Sequence, residues 1–324
     1  MSEVFWFMGR PDIVITMGDP SGVGPEVTLK ALASPKVKGL ANFLLIGDRT
    51  VIERLRKDMG LVLKERLCDL SDVSKKKFAY GRCDAASGRA SMRYIDRALE
   101  LLNKCEADAL VTAPVNKSAI RLAGYRNFEG HTEYLAEKSG VKDFAMMFVG
   151  PRLKIALVTR HIALKDVPSK LSRDAICRTI ILAHRWLTEY FGIDNPRIAV
   201  AGLNPHAGEN GAFGSEEKKI ILPAIRRAGG SVKGIIGPIP PDAVFTAALA
   251  GRFDCVIAMY HDQALVPFKM LYFDSGVNLT LGLPFVRTSP DHGTAFDIAG
   301  KGIANPESMI EAIKLACQLS VHRP

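Results

Sequence analysis

Three of the seven histidines in this 324-residue sequence close short apolar runs. His161 ends "KIALVTRH", His206 ends "RIAVAGLNPH" and His261 ends "CVIAMYH". Runs of this kind read as buried strands, and ligand sites on open α/β sheets lie outside the carboxyl ends of strands. If the three strands share a sheet and a direction, their imidazoles gather near one rim. Imidazole suits zinc, cobalt, nickel or iron, and three such ligands leave positions open for a substrate. Asp166, Glu209 and Asp262 follow closely in sequence and could orient the rings, and Asp262 could itself ligate. The competing reading of each histidine is an ordinary polar residue satisfied at a strand end. The spacing is long, and no HExxH-like local motif joins them.

The stretch "DHGTAFDIAGKGIANP", Asp291 to Pro306, carries a second kind of chemistry. Its glycines and alanines let backbone approach a flat ligand closely. Asp297 could accept hydrogen bonds from ribose hydroxyls, and its charge would oppose an NADP 2′-phosphate. No GxGxxG follows a strand, so the standard dinucleotide fingerprint is absent. "GDPSGVGPE", Gly18 to Glu26, lacks the Walker lysine and reads either as a tight strand-to-helix turn or as a loop lining a ligand cleft. His131, in "FEGHTEYLAEKSG", stands before Thr132 at an apparent helix start, where free backbone N–H groups can receive an anion. An ordinary helix cap is the alternative there. His184, within a helical pattern, and His322, in the tail, read as structural or solvated.

The elements that must position these residues alternate along the chain. "DIVITMGD", "NFLLIGD", "DALVTAP" and the three histidine-terminated runs are short, apolar on both faces and bounded by turn residues. Helical patterns lie between them. "GRASMRYIDRALELLNKC" sets Met92, Ile95, Leu99 and Leu102 along one side, and "SRDAICRTIILAHRWLTEYF" does so with Ile176, Ile180, Leu187 and Phe191 behind Ser172 as N-cap. Strands separated by helices imply a largely parallel sheet covered on both faces.

Composition excludes several classes. The 48% apolar and 24% charged fractions are ordinary for a globular chain. No window approaches the roughly 18–20 uninterrupted apolar residues of a membrane helix, and "MSEVFWFMGRPD" lacks the marks of a secretory signal. The six cysteines are scattered without a Cys-x-x-Cys pair, which suits reduced thiols in a cytoplasmic protein. The net charge of +9 fits anionic small substrates, while "SKKKF" at Ser74–Phe78 lacks the interleaved aromatics of a nucleic-acid module. No nucleic acid or membrane partner is expected.

Several stretches carry a resemblance. "HGTAFDIAGKGIANP" looks like the adenosine-binding loop of isopropylmalate and isocitrate dehydrogenases. The whole chain more closely resembles the 4-hydroxythreonine-4-phosphate dehydrogenase family of vitamin B6 biosynthesis. The matching stretches include "TMGDPSGVGPEV", "TAPVNK", "GHTEYLA", "LNPHAGENG", "GPIPPDAVF", "MYHDQALVPFK" and "GVNLTLGLPFVRTSPDHGTA". The resemblance implies a two-domain α/β/α fold like that of isopropylmalate dehydrogenase, with the active site in the interdomain cleft. Residues 1–130 and 275–324 would form the first domain, and 131–274 the second, carrying the metal histidines and dimer contacts.

It further implies that His161, His206 and His261 bind a divalent cation (zinc, magnesium or cobalt), in a homodimer whose metal site is completed across the subunit boundary. Substrate contacts fall on His131, Thr132, Lys269, Asn278 and Arg287, and NAD contacts on His292, Gly293, Thr294, Asp297 and Asn305. Lys269 offers a point charge and Arg287 a planar fork, both suited to phosphate or carboxylate. Asp242, in "PPDAVF", is the candidate proton acceptor, though a turn residue looks identical. The implied reaction is NAD-dependent oxidation of the C3 hydroxyl of 4-phosphooxy-L-threonine, then decarboxylation to 3-amino-2-oxopropyl phosphate. The nearest rival is a dehydrogenase of D-threonate or D-erythronate 4-phosphate on the same scaffold. A phosphate acyltransferase of related fold is the rival from another class, and a basic nucleic-acid-binding protein a third.

Overall fold

All six apolar runs form strands in the computed structural model, which describes residues 9–76 and 78–321. His322 and most of the first ten residues lie outside that range. The chain folds as two compact units, one from residues up to Gly140 together with Leu283–Val321, the other from Val141–Gly282.

The first unit holds β1 (Asp12–Thr16), β2 (Asn42–Gly47), β3 (Arg66–Asp69), β4 (Ala109–Thr112) and β11 (Val286–Pro290). They lie in the order β3-β2-β1-β4-β11, and every pairing is parallel. Helices α1 (Gly24–Ala33), α2 (Arg49–Met59), α3 (Ala85–Asn103), α4 (Lys117–Leu122), α5 (His131–Lys138) and α11 (Glu307–Val321) accompany it. In α3 the Asp84 side chain accepts from Ser87 N–H, and Met92, Ile95, Leu99 and Leu102 are all buried on the expected face. Each such burial is worth about 1.5–3 kcal/mol, so packing rather than propensity holds the helix. The chain leaves β1 for β2 on one side and reaches β4 on the other. The carboxyl ends of β1 and β4 are therefore a topological switch point.

The second unit holds β5 (Ala145–Val149), β6 (Lys154–Leu157), β7 (Ile198–Ala201), β8 (Ile235–Ile239), β9 (Cys255–Ala258) and β10 (Val277–Leu281). Their order is β10-β5-β6-β9-β7-β8. β5 runs antiparallel to both neighbours, while β6, β9, β7 and β8 pair in parallel. Its helices are α6 (Val167–Lys170), α7 (Arg173–Glu189), α8 (Leu222–Gly229), α9 (Pro241–Leu249) and α10 (His261–Tyr272). Ser172 caps α7 as expected, its Oγ accepting from Ala175 N–H at 3.1 Å. Ile176, Ile180 and Leu187 are buried, whereas Phe191 lies past the helix end and is half-buried. Phe148, Leu157, Val256 and Phe268 sit at the centre of this unit's core.

The division differs from the expected one at both crossings. Residues 131–140 belong to the first unit, because α5 is anchored there: Tyr134 OH donates to Asp96 of α3, and Phe128 packs on Tyr134. Residues 275–282 belong to the second unit, because β10 pairs with β5 along its length. Among the described residues no helix is long and apolar enough to cross a membrane.

Candidate active site

The three histidines stand beyond the carboxyl ends of β6, β9 and β7, which are adjacent and parallel in that order. His161 lies four residues past β6, His206 is the second residue of a turn at Pro205–Gly211 after β7, and His261 is the first residue of α10 after β9. The structure brings two of the rings together. His161 and His261 have centroids 5.6 Å apart, near the roughly 5 Å that two imidazoles on one tetrahedral ion would show. His206 lies instead with its ring 6.3 Å from that of Phe213. Among the described residues of one chain, no three His, Cys, Asp or Glu side chains are gathered closely enough to hold a metal ion. The donor set is right for a transition metal, and one chain assembles two of its members.

The backbone around His206 is unusual. His206, Ala207, Gly208, Glu209 and Asn210 all have left-handed φ values, between 39° and 81°. Only glycine enters that region without strain, so a run of four other residues there must be held by its surroundings. Asp262 Oδ1 lies 3.5 Å from His261 Nδ1, longer than a hydrogen bond, and its side chain is exposed. Asp242 is exposed in the first turn of α9, where any carboxylate is favoured by the helix dipole. Lys269 is half-buried on α10 with its Nζ 5.6 Å above the Phe273 ring. Asn278, on β10, has a buried Oδ1 with no hydrogen-bond partner.

In the first unit, Arg287 of β11 is 2% exposed. Its Nε and Nη2 donate to Thr112 Oγ1 at 3.1 and 2.6 Å, and its Nη1 to Thr132 Oγ1 at 3.4 Å. Thr112 ends β4 and Thr132 lies in the first turn of α5, so the fork is fixed from both sides. His131 precedes Thr132, and its Nε2 is buried without a hydrogen-bond partner. Burial first, then the charges of Arg287 and Lys117, hold His131 well below the usual imidazole range. It is therefore neutral at neutral pH. Burial also pushes Arg287 down to about 10, with Glu133 opposing, which leaves it a cation. A fixed guanidinium, a neutral imidazole and the open end of a helix together suit an anionic group.

The C-terminal loop is anchored within the same unit by the "GDPSGVGPE" segment. Val23 N–H donates to Thr294 O at 2.9 Å, and a Cβ on Gly22 would meet Thr294 at 3.0 Å. Glu26, 1% exposed, accepts from Ala304 N–H and from Lys30, which also donates to Gly302 O and Ala304 O. Of the loop residues expected at NAD, Asp297 and Gly293 are exposed and His292 is half-buried, with its Nδ1 3.0 Å from Gly293 O. Asn305 Oδ1 accepts from Glu307 N–H at the start of α11, a capping role.

Asp19, at the switch point, escaped the sequence reading. It is fully buried; Oδ1 accepts from Ser21 N–H at 2.9 Å, and Oδ2 has no partner. Burial, with Asp84 adding repulsion, raises it to about 7 against opposing hydrogen bonds near Ser21 and Asn116. Its place between two glycines in a turn was the one available signal.

The fold is that of an α/β protein with parallel strands, one unit carrying histidines beyond its strand ends and the other a buried arginine near the start of β11. A family model described as "Pyridoxal phosphate biosynthetic protein PdxA" matches residues 37–316. The chain belongs to that family, and it is an oxidoreductase. It is 45% identical to a 4-hydroxythreonine-4-phosphate dehydrogenase of Geobacter metallireducens, over 96% of each chain. It is 42% identical to a D-threonate 4-phosphate dehydrogenase of Cupriavidus necator, over 97% of this chain and 98% of that one. The solved 4-hydroxythreonine-4-phosphate dehydrogenase of Klebsiella pneumoniae superimposes with a TM-score of 0.86 at 39% identity, covering 96% and 99% of the two chains. A β-decarboxylating dehydrogenase of Thermococcus kodakarensis shares the fold, with a TM-score of 0.50 at 14% identity over 94% of this chain and 81% of that one.

Proposed function

We propose that this chain oxidises the C3 hydroxyl of 4-phosphooxy-L-threonine with NAD and decarboxylates the resulting 3-oxo acid to 3-amino-2-oxopropyl phosphate. The observation that carries the reading is the approach of His161 and His261 beyond adjacent parallel strands in a chain 45% identical to a dehydrogenase of that name. His161, His206 and His261 would hold a divalent cation. Zinc, cobalt or magnesium would supply Lewis acidity, lowering the alcohol's pKa and favouring negative charge on oxygen as carbon dioxide leaves.

The remaining roles belong to the protein. Arg287, Thr132 and neutral His131 receive an anionic end of the substrate, with Lys269 and Asn278 as further contacts. Asp242 is the candidate acceptor of the hydroxyl proton. His292, Gly293, Thr294, Asp297 and Asn305 line the NAD contact, and the Asp297 charge favours NAD over NADP. A homodimer in the cytoplasm is the proposed working form. The support for the homodimer is α10, which begins at His261, exposes Val266 and Met270, and is followed by exposed Phe273.

The second reading, oxidation of D-threonate 4-phosphate or D-erythronate 4-phosphate, is supported by the near-equal identity of a relative named for D-threonate 4-phosphate. Steady-state assays with NAD and each phosphorylated acid decide between them. The first reading expects the highest kcat/KM with 4-phosphooxy-L-threonine; a preference for the threonate overturns it.

A further inference from the structure

Three loops carry the histidines, and buried hydrogen bonds run from one to the next. Beyond β6, Thr159 N–H and Thr159 Oγ1 both donate to Met259 O, at 3.2 and 2.7 Å. This ties the His161 loop to the end of β9. Met259 N–H in turn donates to Gln263 Oε1 at 2.7 Å, and Gln263 Nε2 donates to Gly202 O at 2.7 Å. Gln263 is 8% exposed and lies two residues after His261. One amide thus closes the start of α10, much as a capping-box glutamine does, and reaches across to the end of β7.

From Gly202 the connection continues. Glu217, 4% exposed, accepts at Oε1 from Leu203 N–H and Asn204 N–H at 2.9 and 2.8 Å, and at Oε2 from Asn204 Nδ2 at 3.0 Å. A Cβ on Gly208 would lie 2.6 Å from Glu217 Oε2, so the carboxylate packs directly against the left-handed turn that carries His206.

Resting on the reading of the three histidines as metal ligands, we infer that Gln263 is a positioning residue that sets the His206 turn in register with His261. The amide suits the task because a single rigid group both accepts and donates. Leucine would leave Met259 N–H and Gly202 O unpaired, and glutamate would face Gly202 O with a second acceptor. The effect passes through backbone, since Gln263 itself donates to no imidazole in these contacts.

The test is Co2+ binding to the full-length protein at 20 °C, by calorimetric titration and by the visible cobalt spectrum, with thermal melting of the metal-free protein alongside. The variants are Gln263→Met, the milder Gln263→Glu and, as the control on the metal reading, His206→Ala. Gln263→Met is expected to raise the Co2+ Kd by about tenfold to a hundredfold, the usual cost of losing a group that orients metal ligands. Its cobalt band should shift while the metal-free protein still melts well above 20 °C. If Gln263→Met does not fold, Gln263→Glu, which keeps the acceptor for Met259 N–H and loses the donor to Gly202 O, carries the test with a smaller rise in the same direction. A merely structural glutamine would lower the melting temperature and leave Kd and spectrum unchanged, which overturns the inference. Unchanged Co2+ affinity in His206→Ala would instead overturn the metal reading on which it rests.

Discussion

At the residue scale, the proposed anion-binding group shows how a fold makes ordinary side chains specific. Arg287 is extracted from water and its guanidinium is oriented by two threonine hydroxyls, so its geometry is set before any substrate arrives. Lysine at this position would keep the charge but not the fork. Arg287→Lys is therefore expected to raise KM for the phosphorylated substrate by about tenfold to a hundredfold, the loss of one charge-assisted hydrogen bond of about 1.5–3 kcal/mol. Initial-rate kinetics read this directly, and an unchanged KM would remove Arg287 from the substrate site. Asp19 gives a different kind of expectation. Its carboxyl is raised from the usual 3.8 to about 7, so the folded state holds the proton more tightly than the unfolded chain does. That contribution to stability is complete below pH 3.8 and is lost as pH rises through about 7. Asp19→Asn cannot lose a proton there. Urea unfolding at pH 5 and pH 8 should show a smaller decline in stability for the variant than for the parent; equal declines would mean that Asp19 titrates normally.

At the scale of elements, the question is what holds a loop or strand end in working position. Lys30 joins α1 to two carbonyls of the C-terminal loop and shares Glu26 with Ala304 N–H. Lys30→Met releases those carbonyls and strands the Glu26 carboxylate, so the NAD Kd should rise about tenfold, with substrate affinity less affected. Fluorescence titration with NAD checks it; an unchanged NAD Kd would detach the loop from the cofactor. The sequence showed the outlines of these elements unevenly. The six apolar runs and the Ser172 cap were readable because burial on both faces and a hydroxyl before a helix are local signals. β11 was not, since Arg287, Thr288 and Ser289 are polar yet buried, satisfied by partners such as Ala312 O far along the chain. β8 contains glycine and proline, and β3 is a short polar run, so neither has a strand's pattern. The site divides the same way. His131 was legible as a helix start, whereas Gln263 and Glu217 act through contacts that exist only once β7 and β9 are neighbours. The contacts that anchor α5 were hidden for a related reason: Asp96 and Arg287 are distant from it in sequence.

At the scale of the whole molecule, one chain groups two imidazoles where the proposed chemistry asks for three. The helix that begins with His261 also bears Val266 and Met270 and is capped by Phe273, the three spaced four and three residues apart and 57%, 82% and 72% exposed. Residues at that spacing share a helix face, and large apolar side chains so exposed in series mark a surface that another protein covers. A second copy of the chain is the simplest cover, because it would bring its own histidines to the same place. Met270→Glu tests this. Burying its carboxylate in an apolar contact costs several kcal/mol, and each 1.4 kcal/mol is about tenfold in dissociation constant. The variant should run as a monomer by light scattering at micromolar concentration where the parent is expected to run as a dimer. Because Met270 is itself no metal ligand, a parallel fall in Co2+ bound per chain would show that the partner helps to hold the ion. A monomeric parent binding one Co2+ per chain would confine the metal site to a single subunit.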